Sequence, residues 1–204
     1  YSIKDGFTSF DIIVVKQRVS GKLKAIGKHN LQNALACFAC AQFLGIDLNA
    51  VAKALETFPG VERRMDVVYE DADYIVIDDY AHNPGKISAS IKSIKESWPE
   101  WQIKVFFQPH RYSRLKTMYD DFCAAFSQAN EVIVLKPYAA GEPVDPSFDA
   151  KLFAKAISVS SNVEAKSIES FEVAAKIADN KPRKSIFLTI GAGDVNTLAP
   201  LLKP

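Results

Sequence analysis

Several apolar runs in this sequence end in polar segments that are able to do chemistry, and the segment 108–114 (QPHRYSR) is one of them. The run 103–107 before it predicts a buried strand, which ends at Pro109 because proline lacks a backbone donor. Guanidinium groups bind carboxylates and phosphates bidentately, so two arginines beside His110 suit such a ligand. If a helix begins here, Arg111 and Arg114 project from one face of it. A solvated basic start of a helix is the alternative interpretation.

A second polar segment, 78–84 (DDYAHNP), follows the apolar run 74–78. Paired carboxylates beside His82 can bind a metal ion, hold a ribose diol, or act as acid and base. The alternative is a capping turn, in which Asn83 or Asp79 caps a helix whose first turn contains Pro84.

A third polar segment, 191–194 (GAGD), follows the apolar run 185–190. Phosphate binding and close backbone packing explain a bare G-x-G equally well. The 204 residues contain no G-x-x-x-x-G-K-[ST] phosphate loop and no G-x-S-x-G nucleophile elbow. Any phosphate loop must therefore come from outside this sequence, and serine hydrolase chemistry has no support.

The elements that position these segments alternate between strands and helices from residue 61 onward. The pattern predicts strands at 65–69, 74–78, 103–107, 132–135 and 185–190, and a short strand near 162–166. Helical spacing predicts helices at 84–94, 115–126, 148–158, 170–179 and after residue 194. This alternation predicts βαβ crossovers and a mainly parallel α/β sheet. Ligands bind at the carboxyl edge of such a sheet, where we expect the three polar segments to meet.

Residues 1–60 have a different pattern, which predicts the end of another domain. Weak alternation over 7–27 predicts a β-hairpin that turns at Ser20 and Gly21. The spacing of Leu31, Leu35, Phe38 and Ala39 predicts a helix over 30–44, with Asn30 as its N-cap and Gly45 just past its end. Asp47 is expected to cap a second helix over 48–58.

The three cysteines form no even disulfide framework, which favours a reducing cytoplasm. Cys37 and Cys40 form a C-x-x-C pair. A zinc site needs a second ligand pair, and a redox pair normally begins a helix. Because these two cysteines lie in the middle of the predicted helix, we interpret them as small core residues.

Charge and hydropathy exclude several other classes of protein. The net charge of +1 gives no electrostatic basis for non-specific binding of nucleic acid. No apolar run approaches the roughly 18–20 residues that span a membrane, and from the polar start of the sequence we expect no signal peptide. The sequence does not begin with Met, so we expect a fragment of a longer protein.

Six motifs, in order along the chain, resemble those of the Mur ligases. Segment 27–34 (GKHNLQNA) resembles G-x-H-N-x-x-N-A, 60–64 (GVERR) resembles G-V-x-R-R, and 78–84 resembles D-D-Y-x-H-x-P. Segments 107–114 (FQPHRYSR), 138–142 (YAAGE) and 191–194 (GAGD) resemble the branch of the family that joins L-alanine to UDP-N-acetylmuramate.

The resemblance implies three domains: one for the UDP-sugar, a central P-loop ATPase and a C-terminal ligase domain. Residues 1–60 are then the end of the central domain, and 61–204 are the Rossmann-like ligase domain. The implied reaction uses ATP to form an acyl phosphate that the amine of L-alanine attacks. ATP and Mg²⁺ are expected to be bound mainly by domains outside this sequence, so the chain alone is expected to be inactive.

The resemblance also implies roles for individual residues. The residues expected to contact ATP are His29, Asn30 and Asn33 at the adenine, Arg64, and Asp79 at the ribose. The residues expected at the reacting centre and the L-alanine are Tyr80, His82, His110, Arg111 and Arg114, of which His82 and His110 are the expected catalytic residues. No metal ligand is expected among these side chains.

One segment departs from the L-alanine branch. That branch has H-H-P-[TS]-E where this sequence has 82–86 (HNPGK), so Lys86 stands in place of an acidic residue. The segment is closer to relatives that add diaminopimelate or lysine and to folylpolyglutamate synthases. Another amino-acid ligase of the same kind, or a nucleotide-binding module without catalysis, therefore remains an alternative.

Overall fold

The computed structural model describes residues 1–4, 6–179 and 182–203. These residues form two compact units, of which the first comprises 1–61 and 93–99. The second unit comprises 62–92 and 100–204. The first unit thus reaches one residue past the predicted domain end at 60, and it includes a segment, 93–99, that the sequence pattern does not assign to it.

In the first unit, three antiparallel strands pack against two helices. The strands are β1 (Ser2–Lys4), β2 (Phe7–Val14) and β3 (Gln17–Leu23), with β2 in the middle. The predicted hairpin turn at Ser20 and Gly21 is wrong, since β2 and β3 pair from Val14 and Gln17 outward. Gly21 lies within β3 opposite Phe10, and a Cβ at Gly21 would lie 2.7 Å from the Phe10 ring. The glycine is therefore required for packing and not for a turn.

The first helix, α1 (Lys28–Leu44), begins two residues earlier than predicted. Gly27 is its N-cap residue, with a φ of 96°. Asn30 therefore lies inside the helix, where its side-chain amide donates to the Ile26 carbonyl at 2.9 Å. The prediction of Asn30 as N-cap is wrong because the left-handed conformation of Gly27 already ends the preceding segment.

The predicted end of α1 and start of the next helix are confirmed. Gly45 has the left-handed φ of 69° typical of a helix stop. In α2 (Leu48–Thr57), the Asp47 carboxylate accepts a hydrogen bond from the Asn49 backbone at 3.1 Å. This contact satisfies one of the free amides at the helix start.

The buried face of α1 differs from the predicted one. Ala34, Phe38 and Ala41 are buried, whereas Leu35 and Ala39 are exposed. Cys37 and Cys40 are exposed as well, so their interpretation as core residues is wrong for the described structure. The small alanine side chains on both sides of the helix gave the sequence pattern too little contrast to fix the face.

The second unit contains a six-stranded sheet in the order β4-β5-β9-β6-β7-β8. All neighbouring strands are parallel except β4 and β5, which confirms the predicted mainly parallel sheet. The strands are β4 (Asp66–Glu70), β5 (Tyr74–Asp79), β6 (Gln102–Phe107), β7 (Glu131–Val134), β8 (Glu164–Ser167) and β9 (Ser185–Ile190). Every residue of the central strand β9 is buried, because helices cover both faces of a parallel sheet.

Helices connect these strands: α3 (Pro84–Ser97), α4 (Tyr112–Thr117), α5 (Tyr119–Ala124), α6 (Ala150–Ser161) and α7 (Phe171–Asp179). The helix predicted over 115–126 is two helices, because Met118 has a φ of −121°, outside the helical range. The predicted final helix is two 3₁₀ turns, Val195–Thr197 and Ala199–Leu202. Pro200 in the second turn lacks an amide for a helical hydrogen bond.

One part of the core of this unit lies between the sheet and the C-terminal 3₁₀ turns. Phe106 and Phe187 contact each other there, with ring centroids 6.1 Å apart. Leu198 and Leu202 of the 3₁₀ turns are completely buried in the same cluster. This packing fixes the carboxyl ends of β6 and β9 next to each other.

Candidate active site

Side chains after β5 and β6 meet at the carboxyl edge of the sheet. The ring centroids of His82 and His110 are 5.8 Å apart, and those of Tyr80 and His82 are 5.3 Å apart. Arg114 Nη1 lies 3.2 Å from His110 Nδ1 and 3.4 Å from the His82 carbonyl oxygen. These four residues, Tyr80, His82, His110 and Arg114, form what we call the histidine cluster. The structure thus brings together four of the residues that the sequence predicts at the site.

Asp78 at the end of β5 forms a buried network beneath this cluster. Its carboxylate accepts from the Thr189 hydroxyl at 2.6 Å and from Arg63 Nε at 3.2 Å. Arg63 Nη2 also donates to the carbonyls of Gly191 at 3.0 Å and Gly193 at 3.1 Å. Burial raises the pKa of Asp78, and the Thr189 hydrogen bond and the Arg63 charge oppose that rise. Asp78 therefore connects the ends of β5 and β9 to the segment 60–64, which we call the linker.

Asp79 is also buried, and it organises the turn that follows β5. Its carboxylate accepts from the Ala81 amide at 2.8 Å and from the Ser90 hydroxyl at 2.9 Å. Asn83 caps α3, since its side-chain oxygen accepts from the Lys86 amide at 3.0 Å. Of the two caps considered from the sequence, the structure supports Asn83. The contact of Asp79 with a ribose stays a prediction.

Tyr80 lies beside both arginines of the linker. The guanidinium carbons of Arg63 and Arg64 are 4.9 and 5.5 Å from the centre of its ring. Such distances permit a cation–π attraction. The Tyr80 amide donates to the Arg63 carbonyl at 2.8 Å, which fixes the linker backbone against the end of β5. Arg64 is exposed, and its role toward ATP stays a prediction.

Hydrogen-bond partners assign different tautomers to the two histidines of the cluster. His82 Nδ1 lies 2.8 Å from the Tyr80 carbonyl, which only accepts, so the proton lies on Nδ1. His110 Nδ1 faces Arg114 Nη1, which only donates, so the proton lies on Nε2. His82 therefore has a lone pair at Nε2, whereas His110 has an N–H there.

Both imidazoles are biased toward the neutral form. Burial lowers the pKa of His82 and of His110, and the positive charge of Arg114 lowers both further. The free imidazole has a pKa of about 6.5, so both side chains are neutral at pH 7. A neutral imidazole in contact with a guanidinium is suited to accept or donate a proton near a bound anion.

Arg111 differs from Arg114 in its local geometry. It is the residue before α4 and has a φ of 69°, so it lies outside the helix. The expectation that Arg111 and Arg114 project from one helix face is wrong, because that spacing holds only inside a helix. Arg111 is exposed, and its amide donates to the Tyr138 carbonyl at 3.0 Å. Its contact with an amino acid stays a prediction.

The segment 191–194 (GAGD) packs tightly against the end of β6. A Cβ at Gly191 would lie 2.7 Å from the Gln108 carbonyl oxygen, and one at Gly193 would lie 2.6 Å from Tyr138 Cβ. The buried Gln108 side chain donates to Asp194 at 2.6 Å and accepts from the Val195 amide at 3.1 Å. Close backbone packing, one of the two explanations left open by the sequence, is therefore sufficient for this G-x-G.

Four residues of this edge had no role assigned from the sequence: Arg63, Gln108, Tyr138 and Glu142. All four lie in motifs that the sequence shows, so the motifs were a usable signal. Glu142 accepts from the Ser113 amide at 3.0 Å and from the Ser113 hydroxyl at 2.5 Å. Tyr138 stacks on His110 with ring planes 9° apart.

The predicted adenine-contacting residues lie in the first unit, at the start of α1. His29 and Asn33 are exposed, and Asn30 is half-buried. Asn30 already uses its amide to donate to Ile26, which fixes the orientation of that side chain. The structure therefore shows their common place in the first two turns of α1, and their contact with adenine stays a prediction.

Among the described residues, 1–4, 6–179 and 182–203, no group of three or more His, Cys, Asp or Glu side chains is placed to hold a metal ion. In that same part of the chain, no helix combines the length and apolar character that crossing a bilayer requires.

Comparisons with known proteins agree on one family. The family described as "Mur ligase, glutamate ligase domain" matches residues 63–193. A UDP-N-acetylmuramate–L-alanine ligase from Endomicrobium trichonymphae is 37% identical over 191 residues, which are 92% of this chain and 41% of that protein. One from Desulfosudis oleivorans is 40% identical over 171 residues, which are 83% of this chain and 37% of that protein.

Among solved structures, the UDP-N-acetylmuramate-alanine ligase from Thermotoga maritima superposes with a TM-score of 0.78 at 31% identity. The match covers 98% of this chain and 43% of that protein. The chain thus spans about two fifths of the length of the relatives it matches.

Proposed function

Because this chain belongs to the Mur ligase family, we propose that it forms part of an ATP-dependent amide ligase that joins L-alanine to UDP-N-acetylmuramate. The relatives that bear this activity in their names support the choice of substrates. The observation that carries the proposal is the histidine cluster, in which Arg114 touches His110 and the backbone of His82. An amino acid needs a cation for its carboxylate and a proton acceptor for its amine, and the cluster offers both.

In this proposal, residues 1–60 are the end of the ATPase domain and 61–204 are the ligase domain. His29, Asn30 and Asn33 would contact adenine, because side-chain amides are able to pair with an adenine edge. Arg64 would reach the phosphates, and Asp79 the ribose. When bound, ATP supplies the phosphoryl group that activates the muramyl carboxylate. Mg²⁺ would be bound mainly by domains outside this chain, as the family resemblance implies.

The two histidines would have different roles in amide formation. His82 Nε2 carries a lone pair and would accept the proton that the amine loses as its nitrogen bonds to the carbonyl carbon of the acyl phosphate. The bond from that carbon to the phosphate oxygen then breaks, and inorganic phosphate leaves. His110 carries its proton on Nε2 and would donate a hydrogen bond to a substrate oxygen. Arg114, with Arg111 beside it, would hold the α-carboxylate so that the amine remains free. Tyr80 would line the cleft next to His82.

The test is phosphate release by the full-length protein with ATP, Mg²⁺ and UDP-N-acetylmuramate, measured for a panel of amino acids. The panel comprises L-alanine, glycine, L-serine, diaminopimelate and glutamate. The proposal predicts the highest kcat/KM with L-alanine. Turnover confined to another amino acid would contradict it.

A second candidate is a ligase of the same family that adds a larger amino acid. Lys86 favours it, because its positive charge lies close enough to lower the pKa of His82, where the L-alanine branch has an acidic residue. A second cation would suit an acceptor with an additional carboxylate. A preference for diaminopimelate or glutamate in the same panel would select this candidate.

The third possibility is a nucleotide-binding module without catalysis, in which case the full-length protein would bind ATP but release no phosphate with any member of the panel. The 204-residue chain alone should release none either, since it lacks a phosphate loop. Turnover by the chain alone would contradict that expectation. We propose a cytoplasmic location, where ATP is available.

A further inference from the structure

The loop that follows β7 holds the segment beyond β6 through the carboxylate of Glu142. One carboxylate oxygen accepts from the Ser113 amide at 3.0 Å, and the other accepts from the Ser113 hydroxyl at 2.5 Å. Ser113 lies in the first turn of α4, where backbone amides lack partners within the helix. A residue 29 positions away along the chain therefore caps this helix.

The same loop contacts the residues just before α4. The Tyr138 amide donates to the Pro109 carbonyl at 2.8 Å, and the Arg111 amide donates to the Tyr138 carbonyl at 3.0 Å. The His110 and Tyr138 rings stack with centroids 5.8 Å apart. Together with Glu142, these contacts hold the segment 109–113 at both ends.

Arg111 needs such support because of its backbone conformation. Its φ of 69° is unfavourable for a residue with a side chain, and such a conformation persists only where the surroundings enforce it. The loop accepts hydrogen bonds from two amides in this strained segment. The Arg111 amide donates to the Tyr138 carbonyl, and the Ser113 amide donates to the Glu142 carboxylate. Without the Glu142 contact, the Ser113 amide and hydroxyl would lose this partner, while the contacts of the segment to Tyr138 and within α4 would remain.

Glu142 is ionised at neutral pH, since the Ser113 hydroxyl and amide and the Arg111 charge lower its pKa. Its hydrogen bonds to Ser113 are therefore charge-assisted, which makes them stronger than neutral ones. Arg114, the arginine of the histidine cluster, follows Ser113 directly in α4.

We propose that Glu142 is a positioning residue for the amino-acid substrate. It fixes Ser113 and the first turn of α4, so that Arg111 and Arg114 are in place before the amino acid binds. This proposal rests on the proposed function, because it assumes that these arginines bind the substrate carboxylate. Glu142 itself touches no substrate.

The test is steady-state kinetics of the full-length protein with Glu142→Gln. The amide retains the size of the side chain but removes the charge, so the hold on Ser113 weakens. The apparent KM for L-alanine should rise about tenfold, the effect of losing one charge-assisted hydrogen bond, while the KM for ATP stays within about twofold. If Glu142 only stabilised the fold, the substitution would not raise the KM for L-alanine selectively over the KM for ATP.

Ser113 provides a second route to the same contact. Ser113→Ala should also raise the KM for L-alanine, and the double variant should be no worse than the poorer single variant, because both substitutions remove one interaction. Ser113→Thr keeps the hydroxyl and should restore most of the affinity. Additive effects of the two substitutions would overturn the proposal.

Asp145→Asn is the matched control. Asp145 accepts from the Ser147 amide at 2.9 Å and from the Ser147 hydroxyl at 2.6 Å, so it makes the same pair of hydrogen bonds three residues away. Its bonds stay within the loop, and the substitution should leave the KM for L-alanine unchanged. An equal KM for L-alanine in the unsubstituted protein and Glu142→Gln would overturn the positioning role alone. Absence of any ligation by the unsubstituted protein would contradict the proposed function itself.

Discussion

The segments that follow β5 and β6 meet at one edge of the sheet, but they are held there in different ways. At the end of β5, Asp78 is buried and is paired with Arg63 and Thr189. Beyond β6, the segment 110–114 is partly exposed and is held by the loop that follows β7. Removing one member of a buried ion pair leaves the other uncompensated, whereas exposed charged contacts add little to stability.

We therefore expect substitutions in these two segments to have different effects, one on stability and the other on substrate affinity. Substitutions in the Asp78 network should destabilise the second unit as a whole. Substitutions in the contacts of segment 110–114 should change substrate affinity while the fold persists. The following predictions start with the largest expected effect.

Asp78→Ala should lower the free energy of unfolding by about 3 kcal/mol, since it removes the carboxylate that compensates the Arg63 charge and accepts from the Thr189 hydroxyl. Urea denaturation of the 204-residue chain measures this change. Glu142→Gln is the control from the other segment and should leave the urea midpoint almost unchanged. Equal midpoints for the two variants would remove the distinction between the segments.

Gln108→Ala should lower the free energy of unfolding by an intermediate amount. Gln108 is a buried residue at the end of β6, so this variant measures how much its hydrogen bonds stabilise the second unit. The side chain is neutral, and its loss leaves the Val195 amide and the Asp194 carboxylate without these partners. Buried polar groups that lose a partner cost about 1–3 kcal/mol. The same urea titration checks this value, and a loss as large as that of Asp78→Ala would show that charge is not what distinguishes the two networks.

Arg114→Gln should raise the pKa of both His82 and His110, because burial and then the Arg114 charge hold these pKa values down. NMR titration resolves the effect, and His29, the third histidine, is an internal reference. Lys86→Gln is the matched control and should raise the pKa of His82 alone, since Lys86 contributes to His82. Unchanged pKa values in Arg114→Gln would contradict the contact between Arg114 and the imidazoles.

The same lowered pKa values predict a pH dependence of stability. A histidine whose pKa is lower in the folded state contributes stability that is fully present above about pH 6.5, its unfolded pKa. That contribution is lost as the pH falls through the folded-state pKa. Arg114→Gln should therefore reduce the loss of stability that occurs as the pH falls below about 6.5. Urea midpoints measured between neutral and mildly acidic pH would show the smaller loss.

The sequence predicted the strands of the second unit well because the inner strands β5, β6, β7 and β9 are short runs rich in apolar residues. β9 matches its predicted range of 185–190, and the other predicted strands differ from the structure by one or two residues at their ends. The convergence of the polar segments followed from the parallel sheet. The face of α1 was not predicted correctly, since alanine and cysteine lie on both sides of that helix.

The contacts that hold the site could not be derived from local pattern. Arg63 reaches Gly191 across 128 residues of chain, and Glu142 reaches Ser113 across 29. Such pairs depend on tertiary packing and not on propensity. Arg111 shows the same limit, because its positive φ occurs beside tertiary contacts from Tyr138 and Glu142 that lie far away in sequence.

The most direct test of the account is the apparent KM for L-alanine of the full-length protein with Arg114→Gln. If the histidine cluster binds the amino acid, the KM for L-alanine should rise by about tenfold or more, as expected for loss of a bidentate charged contact, while the KM for ATP changes little. An unchanged KM for L-alanine would contradict the assignment of this edge of the sheet to the amino-acid substrate.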